Sequence, residues 1–135
     1  MTHTKAYLGL DVGTVRIGVA LADDIVRIAI PYGTLDVDGN ELREIARLVI
    51  DNNISHIVVG YPRNQAGEPT AQSRLVEAFS ENLKDMAPHL EFQDESLTSV
   101  LAEDRLKKRG DAYTKGDIDA EAATIILQDY LEQRV

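Results

Sequence analysis

Tyr7-Leu-Gly-Leu-Asp11-Val-Gly13-Thr14-Val-Arg16-Ile-Gly18-Val-Ala-Leu-Ala22 decides the reading of this chain. Two short apolar runs flank a tight polar turn, the pattern of a β-hairpin. Asp11 closes the first run. Gly13 and Gly18 leave room for a phosphate or another backbone to approach. A lone acid between buried strands is costly unless a metal, a partner or an exposed edge accommodates it. The hairpin therefore points to phosphate or metal handling.

Outward from the hairpin, the pattern predicts strands over 5–11, 15–22 and 26–34, with Pro31 marking an edge or an irregularity. Asp38-Gly-Asn-Glu41 opens a helix whose face is Leu42, Ile45, Ala46 and Val49. A buried strand follows over 55–60, then a polar loop over 61–69. The spacing predicts a second helix over 70–86, buried through Leu75, Ala78, Phe79, Leu83 and Met86. A fifth strand covers 90–94. Thr98 is the expected N-cap of a short helix reaching about Lys108. A mobile loop is expected over 110–116. The last helix runs from Asp117 to about Gln133, with Asp119, Ala122, Ala123, Ile126, Leu127 and Tyr130 as its core stripe.

That order, β-β-β-α-β-α-β-α-α, gives an α/β fold. A three-strand antiparallel meander plus two parallel strands would make a mixed five-stranded sheet flanked by helices on both faces. That element order resembles the layout of the ribonuclease H-like fold; the periodicity itself shows only the order. With no repeats or linkers, residues 1–135 are expected to form one domain.

Composition narrows the function classes. The chain has 44% hydrophobic and 27% charged residues, no cysteine and a net charge of -9. Disulfides, thiol catalysis and Cys-based zinc sites are excluded. The N-terminus lacks the apolar core of a signal peptide and no run is long enough to span a bilayer, so a cytoplasmic protein with no membrane partner is expected. The acidic total is unlike a generic nucleic-acid binder. Yet Arg105, Lys107, Lys108, Arg109 and Lys115 face a single acid, Asp111, over eleven residues. Lys107, Lys108, Arg109 and Lys115 are candidate backbone-phosphate contacts. Arg16, Arg63 and Asn64, each in or beside a loop at a strand end, are further substrate-binding candidates. His3, His56 and His89 show no ligand spacing and are read as structural.

Three acids sit where elements end: Asp11, Glu95 and Asp119. Positions 119, 122, 123 and 126 share one helix face, which separates Asp119 from Asp117. The topology could bring all three together. Clustered carboxylates repel unless neutralised, and oxygen-only ligands favour Mg²⁺ or Mn²⁺. Two such ions would stabilise both attacking and leaving oxygens in phosphodiester hydrolysis. Asp11, Glu95 and Asp119 are thus the candidate catalytic and metal-ligating residues.

The chain resembles the YqgF family, also called RuvX. The resemblance rests on Leu10-Asp11-Val-Gly13-Thr14-Val-Arg16-Ile-Gly18-Val-Ala20, Val59-Gly60-Tyr61-Pro62 with Gly67, Asp94-Glu95-Ser96-Leu97-Thr98, and Lys115-Gly116-Asp117-Ile118-Asp119 with Ala122-Ala123 and Ile126-Leu127. It implies a small metal-dependent nuclease with Asp11, Glu95 and Asp119 as its acidic triad. The implied substrates are the 5′ end of pre-16S ribosomal RNA, in ribosomal precursor particles, or a Holliday junction. Where the family usually has Arg after the Asp-Glu pair, this chain has Ser96. The expected assembly is a monomer or a weak homodimer. Two other readings stay open. Asp-x-Gly-Thr-x-x-x-Gly also resembles the first phosphate loop of actin-like ATPases and sugar kinases, although a second lobe would be missing. A non-catalytic nucleic-acid or ribosome-associated module is the other.

Overall fold

A computed structural model describes residues 4–95 and 98–134. His3, Ser96 and Leu97, which figured in the sequence reading, lie outside the described residues. The strands are β1 (Ala6–Val12), β2 (Arg16–Asp23), β3 (Ile30–Asp36), β4 (His56–Pro62) and β5 (His89–Glu95). The helices are α1 (Glu41–Asp51), α2 (Ala71–Glu81), α3 (Thr98–Arg109) and α4 (Lys115–Arg134). One sheet runs in the order β3-β2-β1-β4-β5. The β3-β2 and β2-β1 pairs are antiparallel, and the β1-β4 and β4-β5 pairs are parallel. This is the mixed sheet of a ribonuclease H-like fold, with helices on both faces.

Alternation along the central strands makes two cores. Leu8, Leu10, Val12, Ile17, Val19, Ile57, Val59 and Tyr61 pack with Ile45, Leu48 and Val49 of α1 and Val76 of α2. On the other face Tyr7, Ala20 and Val58 pack with Ala123, Ile126, Leu127 and Tyr130 of α4. Asp11 shares that second face with Tyr7 by the period-two rule. α3 covers the outer side of α4, burying Ala102 against Ala122 and Ile125.

Several boundaries differ from the sequence expectation. β3 begins at Ile30, because residues 23–26 form a turn in which Asp23 Oδ1 accepts the Ile25 and Val26 N–H groups. Pro31 does lie on the edge strand, where the β2-β3 register shifts between Val19 and Ala20. α2 ends at Glu81 and buries Ser73, Val76 and Ser80, while Leu75 is exposed. Thr70 caps it in a box with Ser73, and the Ser73 hydroxyl donates to the Pro62 carbonyl. A polar side chain thus serves on the buried face because β4 offers it an acceptor. Thr98 is the first residue of α3, not its cap.

α4 starts two residues earlier than expected, with Thr114 and Asp117 exchanging hydrogen bonds at its start. It is buried on almost every side from Ala120 to Leu127, because the sheet lies on one side and α3 on the other. Among the described residues, no helix is long and apolar enough to cross a membrane.

Candidate active site

β1, β4 and β5 are parallel, so their C-terminal ends share one edge, where α/β proteins commonly bind ligands. Asp11 lies near the end of β1, and Glu95 is the last residue of β5. β4 separates these strands, and Gly60 makes the crossing possible. A Cβ built on Gly60 would sit 2.3 Å from Glu95 Oε2, so the Glu95 side chain occupies the space above that glycine. On the other flank of Asp11, its register partner on β2 is Gly18. A Cβ there would sit 1.9 Å from the Asp119 carbonyl oxygen, so Gly18 admits the backbone of α4 against the sheet. Glycines on either side of β1 thus let one acid reach in from β5 and the other from α4.

The electrostatics show that the carboxyls sense one another. Burial, and then the charge of Asp119, raises the Asp11 pKa to about 6. Burial, and then the charge of Asp11, raises that of Glu95 to about 7. Glu95 Oε2 is buried without a hydrogen-bond partner among the described residues. Asp119 is half-buried and accepts a 2.7 Å bond from Arg16 Nε.

These residues fit a hard divalent cation. The donors are all oxygens, one is unpartnered, and a positive ion would relieve the ionisation cost of both raised carboxyls. Among the described residues, however, no three acid or histidine side chains are drawn onto a common metal point. The acids are neighbours that have not converged, and Arg16 supplies positive charge on one side of them.

Of the two uses the sequence offered for the hairpin glycines, a phosphate or another backbone, the structure shows the second. Gly13 N–H donates to the Arg16 carbonyl at 3.1 Å, closing the turn on itself. A Cβ on Gly13 would lie 2.6 Å from that oxygen. Gly13 and Gly18 therefore serve backbone packing, which removes the main structural attraction of the ATPase-like phosphate loop.

The substrate-binding candidates separate into groups. Arg63 donates through Nε to Asp94 at 2.9 Å, bonds the Gly67 carbonyl and stacks over the Tyr61 ring. Asn64 Oδ1 accepts from the Ala66 and Glu68 N–H groups and so shapes its own loop. Arg63 and Asn64 nonetheless line a cleft of about 480 Å³ together with Gln65, Glu95, Thr98 and Ser99. That cleft places the loop beside Glu95.

At the end of α3, Arg109 is bonded at 2.7 Å to the buried Glu121, which also attracts Arg105 at 3.7 Å. Lys108 pairs with Asp104 one turn back. Lys115 begins α4 and stands one turn before Asp119, on the same side of the helix. Glu121 escaped the sequence reading, because a helix covered on two sides has no single stripe. Its visible signal is an acid at the centre of the Ala-rich run Ala120-Glu121-Ala122-Ala123. Gly60 was visible in the sequence, but its role in admitting Glu95 was not.

The chain resembles known proteins along nearly its whole length. A family model described as "RuvX: Holliday junction resolvase" matches residues 5–133. A protein of Chloroflexus aurantiacus named "Putative pre-16S rRNA nuclease" is 43% identical over 137 residues, covering 98% of this chain and 90% of the relative. One of the same name from Synechocystis is 41% identical over 139 residues, covering 99% and 91%. Among solved structures, Thermus thermophilus RuvC in complex with a Holliday junction substrate superposes with a TM-score of 0.58 at 12% identity, covering 96% and 95%. Fowlpox virus resolvase with Holliday junction DNA gives 0.55 at 13%, covering 94% and 97%. At those identities the structural likenesses speak for the fold alone.

Proposed function

The chain belongs to the RuvX family, and from that premise we propose that it is a cytoplasmic, single-domain nuclease hydrolysing phosphodiester bonds in structured nucleic acid. The proposed substrate is the 5′ end of pre-16S rRNA, after the name its relatives carry. The observation that carries the catalytic part is Glu95 Oε2, buried, unpartnered among the described residues and electrostatically coupled to Asp11.

In this reading Asp11, Glu95 and Asp119 hold Mg²⁺ or Mn²⁺. The bound cations, two in the proposed form of the reaction, would supply Lewis-acid activation of water and offset charge on the leaving oxygen. The protein's own part is to orient. Asp11 is fixed by the β1 ladder, Glu95 reaches across Gly60, and Asp119 is fixed by the contact of α4 with Gly18. The cleft lined by Arg63, Asn64 and Thr98 would seat the nucleic-acid strand beside Glu95. Lys107, Lys108 and Lys115 would contact backbone phosphates, with Arg109 anchoring the end of α3 through Glu121. A monomer suffices for trimming an RNA end; a weak homodimer is compatible with it.

The family's description favours a second reading, cleavage of a four-way DNA junction. One assay separates the two: precursor 16S rRNA and a four-way junction, each with and without Mg²⁺. The expected result is metal-dependent cutting of the RNA, lost in Asp11→Asn and Asp119→Asn while circular dichroism stays native. Wild-type rates in both variants would reject the acidic-site reading, and a folded wild type that binds RNA without cutting would favour a non-catalytic module. Lys107→Ala/Lys108→Ala is expected to weaken RNA binding and flatten its salt dependence by a slope of roughly 1–2. An unchanged slope would remove these lysines from the interface.

A further inference from the structure

Arg16 is paired differently from Arg63, Arg105 and Arg109. Arg63 has a carboxylate, a carbonyl and an aromatic ring. Arg105 and Arg109 share one buried carboxylate on the far side of α4. Among the described residues Arg16 makes a single side-chain bond, Nε to Asp119 Oδ2, across 103 residues of sequence. Its side chain is 30% exposed, at the rim of the site. Its backbone cannot drift, because Arg16 pairs with Asp36 on β3 and its carbonyl closes the hairpin on Gly13. The guanidinium is therefore a partly exposed head on a fixed root, held to Asp119 through Nε, with its two terminal NH₂ groups unbonded among the described residues.

Its partner matters more than its geometry. Asp119 is the acid whose charge acts on Asp11. A guanidinium on that carboxylate takes up one of its oxygens and adds positive charge where a dication would enter. The like charges repel, so both cannot hold Asp119 at full strength.

We propose that Arg16 is a displaceable counter-ion: it occupies Asp119 when no metal is bound, competes with the divalent cation for that carboxylate, and on displacement offers its fork to a substrate phosphate. This rests on the reading of Asp11, Glu95 and Asp119 as metal ligands and adds the order of events at that site. Guanidinium suits the second half, since its planar donors match a phosphate bidentately. Arg16 thereby couples cation entry to phosphate capture.

The test is Mn²⁺ binding by calorimetry at low ionic strength, with wild type, Arg16→Gln, Arg16→Lys and Asp119→Asn. The proposal expects Arg16→Gln to bind Mn²⁺ at least about tenfold more tightly than wild type, and Arg16→Lys to stay near wild type because it keeps the charge. RNA affinity measured with the cleavage-dead Asp11→Asn protein should fall when Arg16→Gln is added. Equal or weaker Mn²⁺ binding by Arg16→Gln, with wild type binding and Asp119→Asn not, overturns this inference and leaves the metal site standing. No Mn²⁺ binding by wild type overturns both. A second measurement needs no variant: the Arg16 Nε–H signal of ¹⁵N-labelled protein should move during a Mg²⁺ titration. A signal that stays put at saturating Mg²⁺ overturns the displacement.

Discussion

Asp11→Asn should make the metal-free protein more stable at pH 8 while abolishing cleavage. Burial and Asp119 raise the Asp11 pKa from an ordinary 3.8 to about 6. A carboxyl raised on folding contributes stability below its unfolded pKa and loses it as pH rises through the folded value. Ionising Asp11 in the fold thus costs about 3 kcal/mol once the pH is well above 6. Glu95 adds to the effect, since the Asp11 charge raises it too. The neutral amide removes the Asp11 penalty and the part of the Glu95 shift that comes from the Asp11 charge, while the larger part, from burial of Glu95, remains. The amide's own unpartnered donors return roughly 1–2 kcal/mol. The net gain of about 1–2 kcal/mol should lift the melting temperature by roughly 5 °C for a chain of this size. At pH 4 the wild-type carboxyl is mostly protonated in the fold, and its penalty shrinks below about 1 kcal/mol, so the gain should vanish or reverse. Thermal melts of both proteins in chelator at pH 4 and pH 8 measure this directly. A variant less stable than wild type at pH 8, or a gain equal at the two pH values, would refute the argument that Asp11 is held against its ionisation preference.

Two further outcomes follow from the packing. Gly60→Ala puts a methyl 2.3 Å from Glu95 Oε2 and 2.6 Å from Ile126 Cδ1, both ends of flexible side chains. The fold should lose only about 1–2 kcal/mol, but a displaced Glu95 should lower the cleavage rate on the order of 100-fold, read in single-turnover assays; near-wild-type cleavage would mean Glu95 is not needed where it stands. Glu121→Ala strips the buried carboxylate from Arg105 and Arg109, which are half-exposed and regain water. Urea denaturation should show a loss of about 1–3 kcal/mol, and a double-mutant cycle with Arg109→Ala a coupling near 1 kcal/mol. Zero coupling would mean the α3-α4 contact owes nothing to this pair.

How much of the molecule its sequence discloses depends on the range of the signal. The strands of the hairpin, the Pro31 edge and the order β-β-β-α-β-α-β-α-α are local patterns, so the sheet and the positions of Asp11, Glu95 and Asp119 were legible. The 119, 122, 123, 126 spacing also separated Asp119 from Asp117, which is spent on capping Thr114. Where two helices or a helix and a loop share a surface, the pattern failed. α2 was assigned Leu75 and Ala78 as core, yet both are exposed; Ser73 is buried instead because the Pro62 carbonyl at the end of β4 accepts its hydroxyl, and Ser80 is buried as well. Glu121 went unseen because α3 covers the side of α4 that a single-stripe helix would leave to solvent.

The sequence by itself determined which elements exist, in what order, and which strand or helix end carries each acid, because the periods of side-chain burial and the turn residues are written within a few positions of one another. Only the tertiary structure decided that Gly60 opens β4 to Glu95, that Gly18 admits α4, and that Arg16 rests on Asp119. Those contacts join residues 35 to 103 positions apart, and no local period records them. They arise when the two faces of the sheet are covered and every side chain must share the space that remains.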